Sequence, residues 1–208
     1  MDNDIFHNQE ALSKVLTHKR FIHCLGVSDT CFSLAIRYDY PMEKAIMAGL
    51  LHDCAKDLTD EMFLSECFKY NIAVTEVEER RPDLLHAKLG AYYAANKYGI
   101  QDSEILSAIA YHTTGKPDMD LLEKILYVAD YIEPNRSGEY IPNLNAIRKL
   151  AYVDLDKALY LITENVVKYL IETADNIDAL TIATRDFYKN VIRAKSKADQ
   201  KIGLEIRV

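Results

Sequence analysis

The 208-residue chain is poor in the residues that all-β proteins need for their turns. It contains only 7 Gly and 5 Pro, whereas sandwiches and barrels use many of both to join short strands. No stretch alternates polar and apolar residues between hairpin turns, and the apolar residues of most segments recur at helical spacing. The sequence therefore predicts an all-α protein, and its 49% of hydrophobic residues suffices for a core.

Long apolar runs and paired cysteines are missing too. No run approaches the ~18 apolar residues of a membrane span, and the N-terminal stretch MDNDIFHNQE lacks the apolar region of a signal peptide. The four cysteines form no C-x-x-C pair, which argues against a zinc ribbon or a thioredoxin motif. We therefore expect a cytoplasmic protein without a membrane partner.

Charge is spread unevenly along the chain. The formal net charge is -7, so we expect no nucleic-acid partner, because phosphate backbones attract basic faces. From Lys189 onward, however, six basic residues stand against two acidic ones. We predict one domain over residues 1–190, followed at residues 191–208 by a basic C-terminal tail or helix extension.

Several helix starts can be predicted from capping residues. Thr59, Asp102 and Asp154 each precede an apolar helical stretch, and Pro82 suits the first turn of a helix that ends before Gly99. Two segments look irregular, residues 133–143 and residues 173–178. The second one follows the long helix predicted from Asp154.

Familiar nucleotide and nucleophile signatures are absent, and histidine and aspartate remain as candidates for chemistry. There is no G-x-x-x-x-G-K-[ST], G-x-G-x-x-G, G-x-S-x-G or H-E-x-x-H motif. Six ligand-type residues instead lie among apolar residues in or at the ends of helix candidates: His23, His52, Asp53, His86, His112 and Asp130. Taken singly, each is a hydrogen-bonded core histidine or a solvent-facing aspartate.

Taken together, the six residues favour a shared metal. A buried charge without a partner costs several kcal/mol, and one polyvalent cation would satisfy the whole set. His52 and Asp53 point about 100° apart on a helix, but at a helix end both can reach one ion. Imidazoles and carboxylates suit iron, zinc, manganese or cobalt, and the residue types do not choose among these metals.

The order of these residues resembles a known pattern. His23, then His52-Asp53, then Asp130 is similar to the H…HD…D signature of the HD superfamily of metal-dependent phosphohydrolases, and His86 and His112 match the branch that binds a second metal. Five segments resemble the bacterial YqeK family over about residues 10 to 190: R-x-x-H at 20–23, GLLHDCAK at 49–56, LHAKLG at 85–90, YHTTG at 111–115 and ADYIEPNR at 129–136.

The YqeK resemblance implies a fold, an activity and a cofactor. The fold would be a single-domain HD-type helical bundle with a metal site between helices, and residues 1–190 would be the HD domain. The activity would be symmetrical cleavage of diadenosine tetraphosphate (Ap4A) into two ADP, with iron, in a dinuclear site, as the cofactor. The implied partners are a dinucleoside polyphosphate substrate and the ADP product, and a homodimer is left open.

The resemblance also assigns roles to residues. One metal would be held by His23, His52, Asp53 and Asp130; a second metal or a phosphate would be held by His86 and His112, and Asp53 would be catalytic. Substrate contacts would come from Lys56, Thr113 and Arg136 and from the segment Thr173, Ala174, Asp175, Asn176, Ile177 and Asp178. The alternatives are solvated surface charges and an ordinary interhelical turn. Glu133 is either a partner of a metal ligand or an exposed acid.

Two other functions stay open at this stage. One is a nucleotide-binding sensor that regulates a partner, against which the intact ligand set argues. The other is a different HD-type activity on (deoxy)nucleotides or cyclic nucleotides, against which the H-T-T-G and A-D-Y-I-E-P segments argue. Turnover of Ap4A, of nucleoside monophosphates and of cyclic nucleotides would separate the three.

Overall fold

The protein is helical throughout the part that the structure describes. A computed structural model describes residues 5–139, 141–174 and 176–205, with side chains described up to residue 197. Within these ranges there are α-helices and one 3-10 helix but no strand, so the all-α prediction is confirmed. The α-helices are α1 (Ile5–Ser13), α2 (His18–Arg37), α3 (Met42–Leu51), α4 (Asp60–Lys69), α5 (Glu76–Arg80), α6 (His86–Asn96), α7 (Ser103–Tyr111), α8 (Leu121–Ile132), α9 (Leu144–Ala151), α10 (Leu155–Thr173) and α11 (Ala179–Glu205).

Capping side chains begin several helices where the sequence predicts them. Thr59, Asp102 and Asp154 each accept a hydrogen bond from a backbone N–H of the first turn that follows. The helix predicted from Pro82 is instead divided. Its first four residues form the 3-10 helix Pro82–Leu85, and α6 begins only at His86.

Two short helices escape prediction from the sequence. Helix α5 has five residues and begins with a capping box between Thr75 and Glu78. Helix α9 follows Asn143, whose φ of 58° puts the backbone in the left-handed region. Both helices are too short for an apolar period to stand out in the sequence.

Helix α8 forms the centre of the fold. It contacts α2, α3, α7, α9 and α10, and its Ile125, Leu126 and Val128 are fully buried. A helix that is apolar on nearly all sides suits such a central position. The last turn of α8 carries Asp130, so the core helix ends at the candidate site.

The C-terminal helices close one side of the bundle. Helix α10 packs on α8, α9 and α11. Lys195 of α11 pairs with Asp154 (3.4 Å) and Asp156 (2.8 Å) at the start of α10. Helix α11 runs past residue 190 to Glu205, while the division of the chain at residue 190 stays a prediction. Among the helices of the described ranges, none combines the length and the hydropathy needed to cross a membrane.

Candidate metal centre

Six side chains from five parts of the fold meet at one place. They are His23 from α2, His52 and Asp53 from the end of α3 and the turn after it, His86 from the start of α6, His112 from the end of α7, and Asp130 from α8. The ligand-type atoms of His23, His52 and Asp130 all lie within 4.8 Å of one another, as do those of His52, Asp53 and His112. The convergence expected from the sequence is therefore present.

Asp53 lies between two pairs of histidines. Its Oδ2 is 3.4 Å from His52 Nε2 and 3.8 Å from His23 Nε2. Its Oδ1 is 3.4 Å from His86 Nε2 and 3.6 Å from His112 Nε2. The Asp53 side chain is only 5% exposed. Each oxygen of this buried carboxylate thus faces a different histidine pair.

Each of the two aspartates also contacts an arginine. Asp130 Oδ1 lies 3.1 Å from His23 Nε2 and accepts a hydrogen bond from Arg136 Nη2 (2.7 Å). Asp53 Oδ2 accepts a hydrogen bond from Arg20 Nη1 (2.6 Å). The two guanidinium groups offset the charge of buried Asp53 and half-buried Asp130 and fix their positions.

The histidine rings are held by their Nδ1 atoms. Three of them direct Nδ1 to the carbonyl three residues earlier: His52 to Gly49 (2.8 Å), His112 to Ile109 (2.7 Å) and His86 to Asp83. A carbonyl oxygen can only accept, so Nδ1 carries the hydrogen and the Nε2 lone pair points to the centre. Metal-binding histidines are oriented in this way in proteins.

The fourth histidine is held by a carboxylate. His23 Nδ1 lies 3.3 Å from Oε1 of Glu133, which is 3% exposed. The other oxygen, Oε2, accepts a hydrogen bond from the backbone N–H of Asn135 (2.7 Å). A Cβ at Gly26 of α2 would come within 2.7 Å of Oε2, so glycine leaves the space that Glu133 fills. Glu133 is therefore a buried partner of His23 and not an exposed acid.

The unprotonated nitrogens fit a cation. His23 Nε2 and His52 Nε2 are buried, and neither has a hydrogen-bond partner among the described residues. His86 Nε2 and His112 Nε2 lie 3.1 Å apart. A nitrogen lone pair that faces another lone pair or a carboxylate oxygen is repelled by it unless a positive charge lies between the two atoms. The donor set of neutral imidazoles and carboxylates is one that divalent transition metals accept.

The protonation states of the site residues also suit a bound cation. Burial, together with the neighbouring His112, lowers the pKa of His86 to about 3. Burial raises the pKa of Asp53, but interactions with His52 and His112 outweigh it and hold this pKa well below its usual value. Burial also raises the pKa of Asp130, but interactions with His23 and Arg136 outweigh this effect and hold the pKa well below its usual value. Near neutral pH, His86 is uncharged and both aspartates are ionised, as metal binding requires.

A cavity of about 300 Å³ opens onto this centre. The predicted substrate residues Lys56, Thr113 and Arg136 all line it. Lys56 Nζ lies 3.1 Å from His86 Nδ1, and burial lowers the pKa of Lys56. Thr113 Oγ1 is 3.2 Å from His86 Nε2. These three residues are therefore at the site and not on an open surface.

Four described residues of the predicted segment 173–178 line other cavities. Thr173, Ala174 and Asn176 line one of about 450 Å³ together with Arg80 and Arg81. Asp178 lines another, of about 420 Å³, to which Thr113 also belongs. Ile177 lines none of these three cavities, and Asp175 falls outside the described residues. A role of this segment in substrate binding stays a prediction.

Arg20 stands in the R-x-x-H segment, but the sequence predicts no role for it. Its spacing of three residues from His23 puts both on one face of α2, which is a signal that could have indicated a shared site. Tyr127 and Tyr131 of α8 also line the cavity. Nothing in the sequence separates them from the other twelve tyrosines.

A buried centre of histidines and aspartates, brought together from separate helices in the order H…HD…D, defines an HD-type metal site. The family model for the HD domain matches residues 20–135, more than half of the chain. This protein belongs to the HD domain family.

Comparison with individual proteins shows which members of the HD domain family this chain resembles. The chain is 40% identical to a Bacillus subtilis protein and 37% identical to one from Halalkalibacterium halodurans, both named symmetrical bis(5'-nucleosyl)-tetraphosphatase. These alignments cover 80% and 81% of this chain and 89% and 88% of the relatives. The resemblance to the YqeK family is therefore confirmed.

A solved structure agrees with these relatives. It is a predicted HD superfamily hydrolase from Clostridium acetobutylicum, which its description connects with NAD metabolism. The two folds superpose with a TM-score of 0.84 at 39% identity, over 88% of this chain and 96% of the other. The HD-type helical fold is thus confirmed as well.

Proposed function

We propose that this protein hydrolyses dinucleoside polyphosphates and cuts Ap4A symmetrically into two ADP. The observation that carries the proposal is the position of Asp53, with one carboxylate oxygen facing each histidine pair. The relatives named symmetrical bis(5'-nucleosyl)-tetraphosphatase support it, because they align over about four fifths of the chain. The same alignments favour this reaction over the sensor and over other HD activities.

The centre would hold two divalent cations. His23, His52, Asp53 and Asp130 would bind one, and His86 and His112 would bind the other with Asp53 shared between them. Cations at these positions would supply a nucleophile from water at neutral pH and stabilise negative charge on phosphate. Iron is the proposed metal by resemblance, and manganese, zinc and cobalt fit the same ligand types.

The chain's own residues would orient the substrate. Lys56 and Arg136 line the cavity beside the centre, and both can contact phosphate oxygens. In the reaction, a water oxygen bonds to the second phosphorus from one adenosine. The bond from that phosphorus to the next bridging oxygen breaks, and ADP leaves. One water is consumed and two ADP form, and no protein nucleophile is required.

The compartment is part of the proposal. All four cysteines are free and buried, and burial raises the pKa of Cys31 and of Cys54 (the latter to about 12), so these thiols are inert hydrophobic residues. Free thiols suit a reducing cytoplasm. We propose a cytoplasmic enzyme on this ground.

The test is product analysis. The protein is purified without oxygen and incubated with Ap4A in ¹⁸O-labelled water, and the nucleotides are separated by chromatography. We expect ADP alone, with the label in half of the ADP molecules. AMP and ATP in equal amounts would refute symmetrical cleavage. Binding without turnover would support the sensor, and turnover confined to monophosphates or cyclic nucleotides would support another HD activity.

A further inference from the structure

A second cavity adjoins the metal centre, and none of the predicted substrate residues except Arg136 belongs to it. Its volume is about 630 Å³, and it lies between the start of α2 and the loop after α8. Its wall includes His18, Lys19, Arg20, Asn135 and Arg136. Arg20 and Arg136 also line the first cavity, so the two cavities meet at this pair of arginines.

We propose that this second cavity binds the nucleoside diphosphate half of the substrate that leaves during hydrolysis. One half of the substrate then lies in each cavity, and the phosphates that join the halves pass between Arg20 and Arg136. The inference rests on the proposed function, because it assigns a place to the second half of a symmetrical dinucleotide.

The arginine pair is suited to the middle of a polyphosphate. Arg20 uses Nη1 to bond Asp53, and Arg136 uses Nε and Nη2 to bond the carbonyl and the carboxylate of Asp130. A guanidinium has five N–H groups, so both arginines keep donors for phosphate oxygens. Their bonds to the aspartates place those donors directly beside the centre where the phosphorus would react.

The cavity wall has a lysine and a histidine without partners, while its acids are already bonded. Asp57 Oδ2 accepts a hydrogen bond from the backbone N–H of Thr17 (2.6 Å), and Glu133 is held by His23 and Asn135. His18 and Lys19 are exposed, and the described residues provide neither with a hydrogen bond or an ion pair. The wall therefore offers donors to an anion.

Size and symmetry agree with this ligand. A volume of about 630 Å³ falls in the range of roughly 300 to 1,000 Å³ in which proteins bury ligands of nucleotide size. The two products of symmetrical cleavage are the same molecule. A chain that binds one ADP in each cavity would hold both halves until the phosphorus is in place, and it would bind two ADP after the reaction.

The experiment counts ADP molecules bound to the protein with its metal, by isothermal titration calorimetry. We expect two ADP per chain. Lys19→Ala should weaken one of the two sites about tenfold, the loss expected for one charged hydrogen bond, and leave the other unchanged. Lys149→Ala is the matched control, because Lys149 is an exposed lysine of α9 that lines neither cavity; both of its sites should keep wild-type affinity.

Other outcomes would overturn the inference. One ADP per chain in the wild type would do so, and so would two sites that Lys19→Ala leaves unchanged. A second site weakened by Arg80→Ala instead would place the leaving half in the cavity that Thr173, Ala174 and Asn176 line. A wild type that binds two ADP but does not cut Ap4A would refute the proposed activity and leave the second cavity as an ADP site only, while an Ap4A hydrolase with one ADP site would refute only the second cavity.

Discussion

The two sides of the Asp53 carboxylate are built differently. On the Oδ2 side, His23 and His52 are joined by a second carboxylate, Asp130, which comes from the central helix α8. On the Oδ1 side, His86 and His112 have no carboxylate other than Asp53 within 4.0 Å among the described residues. Because affinity for divalent cations rises with the number of charged ligands, we expect the Oδ2 side to bind its metal more tightly.

The residues that surround the two sides of the Asp53 carboxylate also differ. The Oδ2 side is backed by buried Glu133 and by Arg136, and its residues come from α2, α3 and α8, which pack directly on one another. The Oδ1 side consists of the start of α6 and the end of α7, next to Lys56 and Thr113 in the cavity wall. Both sides thus line the first cavity, the Oδ2 side through Asp130 and the Oδ1 side through His86 and His112. Only the Oδ2 side also borders the second cavity, through His23 and Glu133.

Replacing Asp53 should disrupt metal binding on both sides of its carboxylate. We expect Asp53→Ala to lose both metals and to lower hydrolysis by on the order of 10³-fold or more, beyond the 10–100-fold typical of changes behind the ligands. Metal per chain and turnover measure the effect, and circular dichroism should show retained helix. Asp29→Ala, at an exposed aspartate of α2, is the control and should behave as the wild type. Full activity of Asp53→Ala with added metal would show that the carboxylate is no ligand.

Replacing His112 should remove the metal on the Oδ1 side and leave the metal on the Oδ2 side. His112→Ala leaves the ligands on the Oδ2 side in place, so we expect bound metal to fall from two ions to one per chain. Activity should fall about 10²- to 10³-fold, the range for losing one group that stabilises charge in the transition state. Metal analysis after gel filtration gives the stoichiometry. Loss of both ions would mean that the two sides do not bind independently.

Changing Glu133 should weaken the Oδ2 side alone. Glu133→Gln keeps the shape of the side chain but removes the charge that faces His23 Nδ1. We expect the affinity for the tighter metal to fall about 10- to 100-fold, with the other site unchanged. Competition with a chelator measures both affinities. Gly26→Ala should also lower the affinity for this metal, because its Cβ would press on Glu133 Oε2. Unchanged metal affinity in both variants would show that Glu133 does not support His23 as a ligand.

The smallest effect on chemistry should come from Gly115. This residue ends the H-T-T-G segment with a φ of 65°, and a Cβ there would lie 2.6 Å from Thr184 Cγ2. Gly115→Ala should therefore destabilise the fold by about 1–3 kcal/mol and displace the turn after His112 only slightly. Thermal unfolding should show a lower Tm while both metals stay bound. An unchanged Tm would mean that the backbone adjusts without cost.

The sequence allows the site to be predicted better than its surroundings. The six ligand-type residues stand out because polar groups in apolar helices need partners, and the fold does bring them together. The spacing of Arg20 from His23 indicates a shared site, but the second cavity could not be predicted, because it joins residues 17–20 to residues 133–136, which only folding makes neighbours. Helix α9 does not follow from the sequence pattern, because its start depends on one left-handed residue, Asn143.

The most direct test of the central claim is anomalous X-ray diffraction from crystals of protein purified without oxygen. We expect two metal peaks, one on each side of Asp53, with Oδ2 near the ion bound by His23, His52 and Asp130 and Oδ1 near the ion bound by His86 and His112. Data collected across absorption edges would identify the metal, which we expect to be iron. A single peak out of reach of Asp53, or no peak from protein that cuts Ap4A, would contradict the account.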